Sequence, residues 1–499
     1  MTTTSPNGRI VTFVTAVADR VGLWLVMALA ALLRLWDLGY PHKLVFDETY
    51  YVKDAYTLSK LGYEGSWPDK ANAAFEAGHV HGFLTDPSYV VHPPLGKWII
   101  SLGINLFGAQ NSFGWRFSVA LLGIASVWVL YLVAKELLSS KRWALIAAFL
   151  LAIDGHAIVL SRTGLLDGIL AFFALLAFYF LLRDRAANRL RFWNRPWLLA
   201  MAVTLGAASA VKWSGLYLLV AFALYVVGSD VLLERKVHQA TETESRFNWF
   251  SQIVLRGLTT FWLTVPVAVA TYLASWTGWL VTSGGYFRNW VAPAGSVSPL
   301  FAWIPQPLQA LWHYHQEAYG FHVNLHVGHP YAANPLGWLL MLRPTSFFYE
   351  GNSFGQNGCD IKSSCASAIT ALGNPAIWWV AAIAIILVLI RWAKTRERTP
   401  GLILLGLAGG YLPWLIYFNR TTFQFYGIVF LPWMLLALVY VLQTQVASRE
   451  GYEQVRSRGR TFAYLVLCFA ISMFFLPIWI GTNVPYWFWL AHMWLPSWI

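Results

Sequence analysis

The segment FDETYYVKDAY places two adjacent carboxylates, Asp47 and Glu48, just after the first long apolar run of the chain. A carboxylate beside a reacting hydroxyl takes its proton as general base. Neighbouring carboxylates point different ways on a helix or strand, so one can act as base while the other orients a partner. The same pair at a helix start also favours the helix dipole with no chemistry at all, and spacing alone favours that simpler use. The surrounding cations raise the interest of the pair. Arg34 lies inside the first apolar run, where a charge costs on the order of 2.5–3.5 kcal/mol at a helix centre. Arg116, Arg162, Lys212 and Arg420 fall near the expected outer ends of apolar runs, and Lys97 in HPPLGKW and Arg343 in LRPTSF stand in similar places. Such cations stabilise a departing phosphate. Each has a second reading: snorkelling to the interface, pairing with Asp154 or Asp167, or holding an ordinary phospholipid headgroup.

The histidines invite a metal reading. HYH carries His313 and His315, and HVNLHVGH carries His322, His326 and His329. A helix would set the last three on one face, where three His can hold zinc. No HExxH accompanies them, and packing with hydrogen bonding is the preferred reading; no metal is required, although a divalent ion stays open. Cys468 lies in an apolar run and reads as core. Cys359 and Cys365 share the polar loop CDIKSSC, which admits a disulfide if that loop lies outside the cell and two free thiols otherwise.

The elements that must position these groups are membrane spans. Of 499 residues, 58% are hydrophobic and only 12% charged, about half the charged share of a soluble domain. Most of the surface must therefore face lipid. The 28 Trp and 17% aromatics suit the headgroup boundary. The net charge of +12 gathers in short loops between apolar runs, which is a topology signal and not a nucleic-acid footprint. The first apolar run is long enough to span and lacks a small-residue cleavage site, so it reads as an anchor. About eleven runs are long enough to cross, starting near Val21, Phe113, Trp143, Leu165, Trp197, Gly215, Leu255, Pro375, Gly401, Phe425 and Phe462. Lys141-Arg142, the stretches Arg183 to Arg195, Glu234 to Arg246, Arg391 to Arg398 and Ser448 to Arg460 fall on one side. The expected arrangement is an all-α polytopic membrane protein in one domain, with a cytoplasmic N-terminus and an extracytoplasmic C-terminus. Two long extracytoplasmic loops, 37–113 and 283–374, carry the acidic pair and most histidines. Leu95 to Phe107 is expected to lie in the interface.

FDETYYVKDA, VHPPLGKW, GWRFS, RTGLLDG, VKWSGLY, YHQEAYGFHVNLHVGHPYAANPLGWLLMLRP and RTTFQFY, in that order along nearly the whole chain, resemble the protein O-mannosyltransferase family, in particular its bacterial members. The resemblance implies a GT-C membrane fold, polyprenyl-phosphate mannose as donor, and Ser or Thr of proteins emerging from the secretion translocon as acceptors. It implies single-displacement inversion with Asp47 as base and Glu48 beside it. It matches Arg34 and Arg116 to important basic positions, His92, Pro93 and Lys97 to the HPPLGK loop, and His315, His322 and His329 to the second-loop histidines. The second loop leaves no room for the β-trefoil module of the eukaryotic enzymes. Two other functions compete. One is a GT-C transferase acting on a cell-wall glycan or lipid, with the same donor chemistry. The other is a lipid-linked sugar flippase or transporter, which also uses broken helices and intramembrane charges.

Overall fold

A computed structural model of the chain describes residues 6–187, 191–241, 246–293, 298–356, 358–360 and 364–499. The first half runs through α1 (Pro6–Leu35), α2 (Glu48–Leu61), α3 (Ala71–Glu76), α4 (Leu95–Phe107), α5 (Ser112–Leu138), α6 (Lys141–Ile153), α7 (Gly155–Ser161), α8 (Leu166–Ala186), α9 (Pro196–Val211), α10 (Gly215–Ala240) and α11 (Trp249–Ser275). Then follow α12 (Thr277–Val281), α13 (Gln306–Val323), β1 (Thr345–Asn352), β2 (Cys365–Ala371), α14 (Pro375–Thr395), α15 (Arg398–Gly410), α16 (Leu431–Ala447), α17 (Gly451–Ile480), β3 (Val484–Pro485) and α18 (Tyr486–Ala491).

A chain this apolar must satisfy its backbone internally, and helices do so. Among the described residues six helices, α5, α8, α10, α11, α14 and α17, are long and apolar enough to cross a membrane. The pair α6 and α7, bent by 62°, makes a seventh when taken as one span. Val21–Leu35 of α1, α4, α9 and α16 are shorter apolar helices. Every apolar run picked out in the sequence starts on or beside a helix, but they are not all of spanning length. The breaks have a use. Asp154 ends α6 and caps α7, accepting from the Ala157 amide at 3.1 Å. Between α9 and α10 the chain turns through Lys212–Ser214, at the depth where the candidate site lies.

The all-α expectation needs one correction. β1, β2 and β3 form an antiparallel sheet in that order, with Thr345 opposite Ala371 and Asn352 opposite Cys365. TSFFY is rich in residues that suit a pleated, half-buried surface, and it falls inside the second long loop. Cys359 and Cys365 are joined by a disulfide at the start of β2. The chain after α1 crosses this sheet: the Tyr40 hydroxyl meets Ser367 Oγ of β2 at 3.3 Å, and Phe46 stacks on Phe347 of β1 with centroids 4.9 Å apart. The sheet thus backs the acidic pair.

Charges also gather at the far ends of α8 and α10. Asp184, Arg185, Arg195 and Asp230 are each buried. Arg185 and Arg195 each pair with both acids, Arg195 at 2.6 Å from either one.

Candidate active site

Three of the expected phosphate-binding arginines do other work. Helix ends leave carbonyls without partners, and a guanidinium carries five donors in one plane. Arg34 donates to the carbonyls of Leu151 and Ala152 at the α6 break, at 3.1 and 3.0 Å, and to Ser161 Oγ. Arg162 gathers the carbonyls of Leu33, Arg34, Trp36 and Asp37 at the end of α1. Arg116 holds the carbonyls of Leu38, Tyr40, Pro41 and Lys43. Together they fix the turn that carries Asp47 and Glu48.

Glu48 is the other half of that brace. It is fully buried. Arg116 Nε reaches its Oε1 at 2.8 Å and Arg116 Nη2 its Oε2 at 2.9 Å. The amides of Gly164 and Val45 donate to the same two oxygens at 2.7 and 3.0 Å. Four donors occupy both oxygens, so no lone pair is left to receive a proton from a substrate. Gly164 approaches so closely that a Cβ there would lie 3.1 Å from the Trp115 carbonyl and the Val52 side chain.

Asp47 differs from its neighbour. It stands immediately before the first residue of α2, only partly covered. Phe46 before it takes φ 48°, a left-handed conformation that bulky residues avoid. Its ring is clasped by Phe347, Phe423 and Phe425, which holds the strained turn. Burial pushes the Asp47 carboxyl up to about 6; Lys212 and a hydrogen bond from Tyr51 pull it back, while Asp167 adds to the rise. The result is a carboxylate ionised at neutral pH yet more basic than an ordinary aspartate, the condition a general base needs.

Lys212 and Asp167 form an ion pair at 2.7 Å on the wall of a cavity of about 110 Å³. Lys212, Arg420, His92 and His322 line it with a ring of aromatics from Trp213, Tyr217, Tyr319, Trp414, Tyr417 and Tyr426. Arg420 donates through Nε to the His322 carbonyl at 2.9 Å and through Nη2 to His322 Nδ1 at 3.2 Å. His322 Nε2 in turn lies 2.9 Å from the Val91 carbonyl, so Nε2 carries the proton and Nδ1 accepts from Arg420. His92 stacks on His322 at 5.1 Å. Burial pushes both rings down, His322 to about 4 and His92 well below its usual range, with Lys212 and Arg420 adding to the effect. Both are neutral at working pH.

A second, apolar cavity of about 590 Å³ adjoins the first. Gly206 of α9, Leu216 and Leu219 of α10, Ala268 and Val269 of α11, and Trp312 and His315 of α13 line it; Trp213 and Tyr319 belong to both cavities. His315 meets the Leu311 carbonyl and the Tyr272 hydroxyl and stacks on Trp213. Its place is the apolar cavity, not the charged one.

The remaining expected residues hold the loops. Lys97 is buried against Glu64 and donates to the His92 carbonyl at 3.2 Å, and Pro93 follows His92 in the wall beneath Trp213. Arg343 ties the Pro330 carbonyl to those of Ser497 and Ile499. α13 ends at Val323, so His326 and His329 leave the helical face that a shared metal would use. His326 turns to the Asn419 carbonyl, and His329 packs on Phe423 near Phe46. Among the described residues no group of three His, Cys, Asp or Glu converges on a metal position. Sequence reasoning did not single out Tyr51, Trp213 or Tyr319. Tyr51 had a signal: four residues past Asp47, it shares its helix face.

Residues 24–281 match the family described as dolichyl-phosphate-mannose-protein mannosyltransferase. Residues 307–498 match the C-terminal four-helix membrane region of protein O-mannosyltransferase. The polyprenol-phosphate-mannose–protein mannosyltransferase of Mycolicibacterium smegmatis is 30% identical, over 96% of this chain and 94% of that protein. The Corynebacterium glutamicum protein of the same name is 28% identical over 91% and 88%. The fold matches the Saccharomyces cerevisiae Pmt1–Pmt2 complex bound to the sugar donor, with TM-score 0.72 and 15% identity over 97% of this chain and 93% of that one. The chain belongs to the protein O-mannosyltransferase family.

Proposed function

We propose that this chain is the enzyme that moves mannose from polyprenyl-phosphate mannose to Ser or Thr hydroxyls of secreted proteins, with inversion at the anomeric carbon. One observation carries the reading: the more basic carboxylate, Asp47, feels the charge of Lys212, and the cavity holding Lys212 and Arg420 shares Trp213 and Tyr319 with an apolar groove beside it. A lipid-linked sugar phosphate has that sequence of parts. The isoprenoid takes the groove between α9, α10, α11 and α13. The phosphate meets Lys212 and Arg420, and the sugar faces Asp47.

In the transfer, the acceptor oxygen bonds to the mannose C1 as the C1–O bond to phosphate breaks. Asp47 receives the hydroxyl proton, and the charge left on the polyprenyl phosphate falls to Lys212 and Arg420. Two fixed cations do the work for which other transferases use a divalent ion, so the reading requires none. His92, neutral, offers a hydrogen bond to sugar or phosphate without a proton-transfer role, and His322, neutral and bonded through both ring nitrogens, positions Arg420.

In a bilayer, the reading places the eleven helical segments across the membrane, with the basic loops and N-terminus in the cytoplasm. The loops 37–113 and 283–374, the C-terminus and the active site then face outward, where chains leave the translocon, and α4 lies in the interface. The whole chain acts as one GT-C unit.

The test is transfer of radiolabelled mannose from polyprenyl-phosphate mannose by the purified protein in lipid, offered a Thr-rich secreted peptide, a cell-wall glycan and lipid together. Label on the peptide as an α-mannoside supports the reading. Label on glycan or lipid alone moves the acceptor, and label crossing vesicles without transfer indicates a flippase.

A further inference from the structure

Trp213 from the turn between α9 and α10, Tyr272 near the end of α11 and His315 of α13 put polar atoms in the wall of the apolar cavity. Such burial is costly unless each atom finds a partner. These side chains find one another. His315 Nδ1 lies 2.6 Å from the Leu311 carbonyl, which can only accept, so Nδ1 carries the ring proton. Burial holds the His315 ring below its usual range, so it is neutral and its Nε2 is an acceptor. The Tyr272 hydroxyl, 2.5 Å from that Nε2, therefore donates to it. The Trp213 Nε1–H then donates to the same hydroxyl oxygen at 3.1 Å. Every direction in the chain from Trp213 through Tyr272 to His315 is forced, and every polar atom of the three rings is used. What they turn to the cavity is ring surface, with Trp213 also stacked on His315 at 5.5 Å.

Trp213, the first member of this chain, is also the link to the charged cavity. It follows Lys212 in sequence, lines both cavities and meets the His322 ring at 5.8 Å; His322 in turn holds Arg420. A lipid whose phosphate sits on Lys212 and Arg420 brings its first isoprene units past the shared wall of Trp213 and Tyr319. We propose that Tyr272 and His315 are positioning residues that lock the Trp213 ring at this junction and through it set the preference for a long-chain lipid donor. Neither gives a hydrogen bond to the donor, and neither touches the reacting atoms. Without the Tyr272 hydroxyl, the Trp213 N–H and His315 Nε2 are both left buried without partners. The indole then turns toward another acceptor and the junction loses its shape.

The inference rests on the lipid chain occupying the apolar cavity, and the experiment separates the two. Donor KM and kcat for mannose transfer to a Thr peptide are measured in nanodiscs, with a long polyprenyl-phosphate mannose and with a short water-soluble analogue. The enzymes are wild type, Tyr272→Phe, Trp213→Phe, their double variant, His315→Phe and His315→Gln. Tyr272→Phe should raise the KM of the long donor about fivefold, the weight of one hydrogen bond, and that of the short analogue much less, with the smaller change in kcat. His315→Phe keeps a ring against Trp213 but no acceptor, and should match it. His315→Gln, whose amide can donate to Leu311 and accept from Tyr272, should recover most of the preference. Because Tyr272 acts through Trp213, the double variant should be no worse than Trp213→Phe alone, instead of the roughly 25-fold of two independent losses. Independent losses in the double variant, or a Tyr272→Phe enzyme that loses affinity for both donors equally, would reduce the chain to packing and overturn the inference. A wild-type preference that survives intact in Tyr272→Phe overturns the inference alone. If wild type itself binds both donors alike, the groove reading fails and the inference falls with it.

Discussion

Two clusters of buried charge lie at opposite ends of α8 and α10, roughly 25 Å apart along the helices, and they are built on opposite principles. One closes on itself. Asp184 and Asp230 face Arg185 and Arg195, two acids and two bases, each base bonded to both acids and all four buried. The other is left open. Lys212 pairs with Asp167 and Arg420 leans on a histidine, all on the wall of a cavity, and Asp47 feels the charge of Lys212. A closed quartet spends its charges on one another. An open set keeps electrostatic capacity for a ligand, at the cost of leaving partly desolvated charge in the fold. The open cluster is the candidate site because its charge has no complete answer within the protein.

The comparison sharpens if each cluster is broken in turn. Lys212→Gln keeps a donor for Asp167 and removes the cation. It should lower single-turnover transfer by the molecules that remain folded by about 10²–10³-fold, beside a loss of stability as the buried Asp167 gives up its charge partner. Asp230→Asn should cost about 3 kcal/mol of stability as the arginines lose one of their charge partners, with the rate per folded molecule unchanged. Equal loss of rate from both would erase the distinction.

A smaller effect reads the acid directly. Single-turnover rate should rise with pH about tenfold per unit up to about 6 and then flatten, because the reaction needs ionised Asp47. Stability should run the other way. A carboxyl raised from its unfolded value near 3.8 to about 6 binds its proton more tightly when folded. The fold therefore gains from acidification through that window and carries a penalty above it. Asp47→Asn should remove that penalty, melting higher than wild type at pH 7.5 and losing the advantage by pH 4. A profile with no break near 6 would contradict the environment described for Asp47. The smallest expected effect is at the junction of the two cavities. Trp213→Ala should raise the donor KM about tenfold for a long polyprenyl chain, the size of a lost aromatic contact, and much less for a short water-soluble analogue.

How much of this could be read in the sequence depends on the kind of contact. Asp47 stands out because one short segment carries it, directly after an apolar run. The apolar runs themselves are local patterns, and each starts on or beside a helix. The jobs of Arg34, Arg116 and Arg162 were not legible, since they depend on which carbonyls the bends expose. The break at Asp154, which creates the acceptors for Arg34, lies more than a hundred residues away from it. The division between Asp47 and Glu48 is likewise a matter of tertiary partners. Arg116 and the Gly164 amide, which close around Glu48, arrive from α5 and from the turn before α8. The cavity's aromatic wall joins Trp213, Tyr319 and Trp414 from three distant segments. Two strands of the small sheet lie inside the second long loop and the third follows α17, so no single local pattern marks it.

The central claim is that adjacent acids have separate tasks: Asp47 takes the proton and Glu48 holds the turn. It is tested most directly by comparing Asp47→Asn and Glu48→Gln side by side, measuring donor binding, melting temperature and first-turnover mannose transfer in the same nanodiscs. The account predicts that Asp47→Asn binds donor and melts no lower than wild type at pH 7.5 but transfers about 10²–10⁴-fold more slowly. It predicts that Glu48→Gln melts markedly lower, because Arg116 loses its charge partner, while the molecules that remain folded keep the greater activity. Near-normal transfer by Asp47→Asn, or a normally stable Glu48→Gln that transfers nothing, would contradict it.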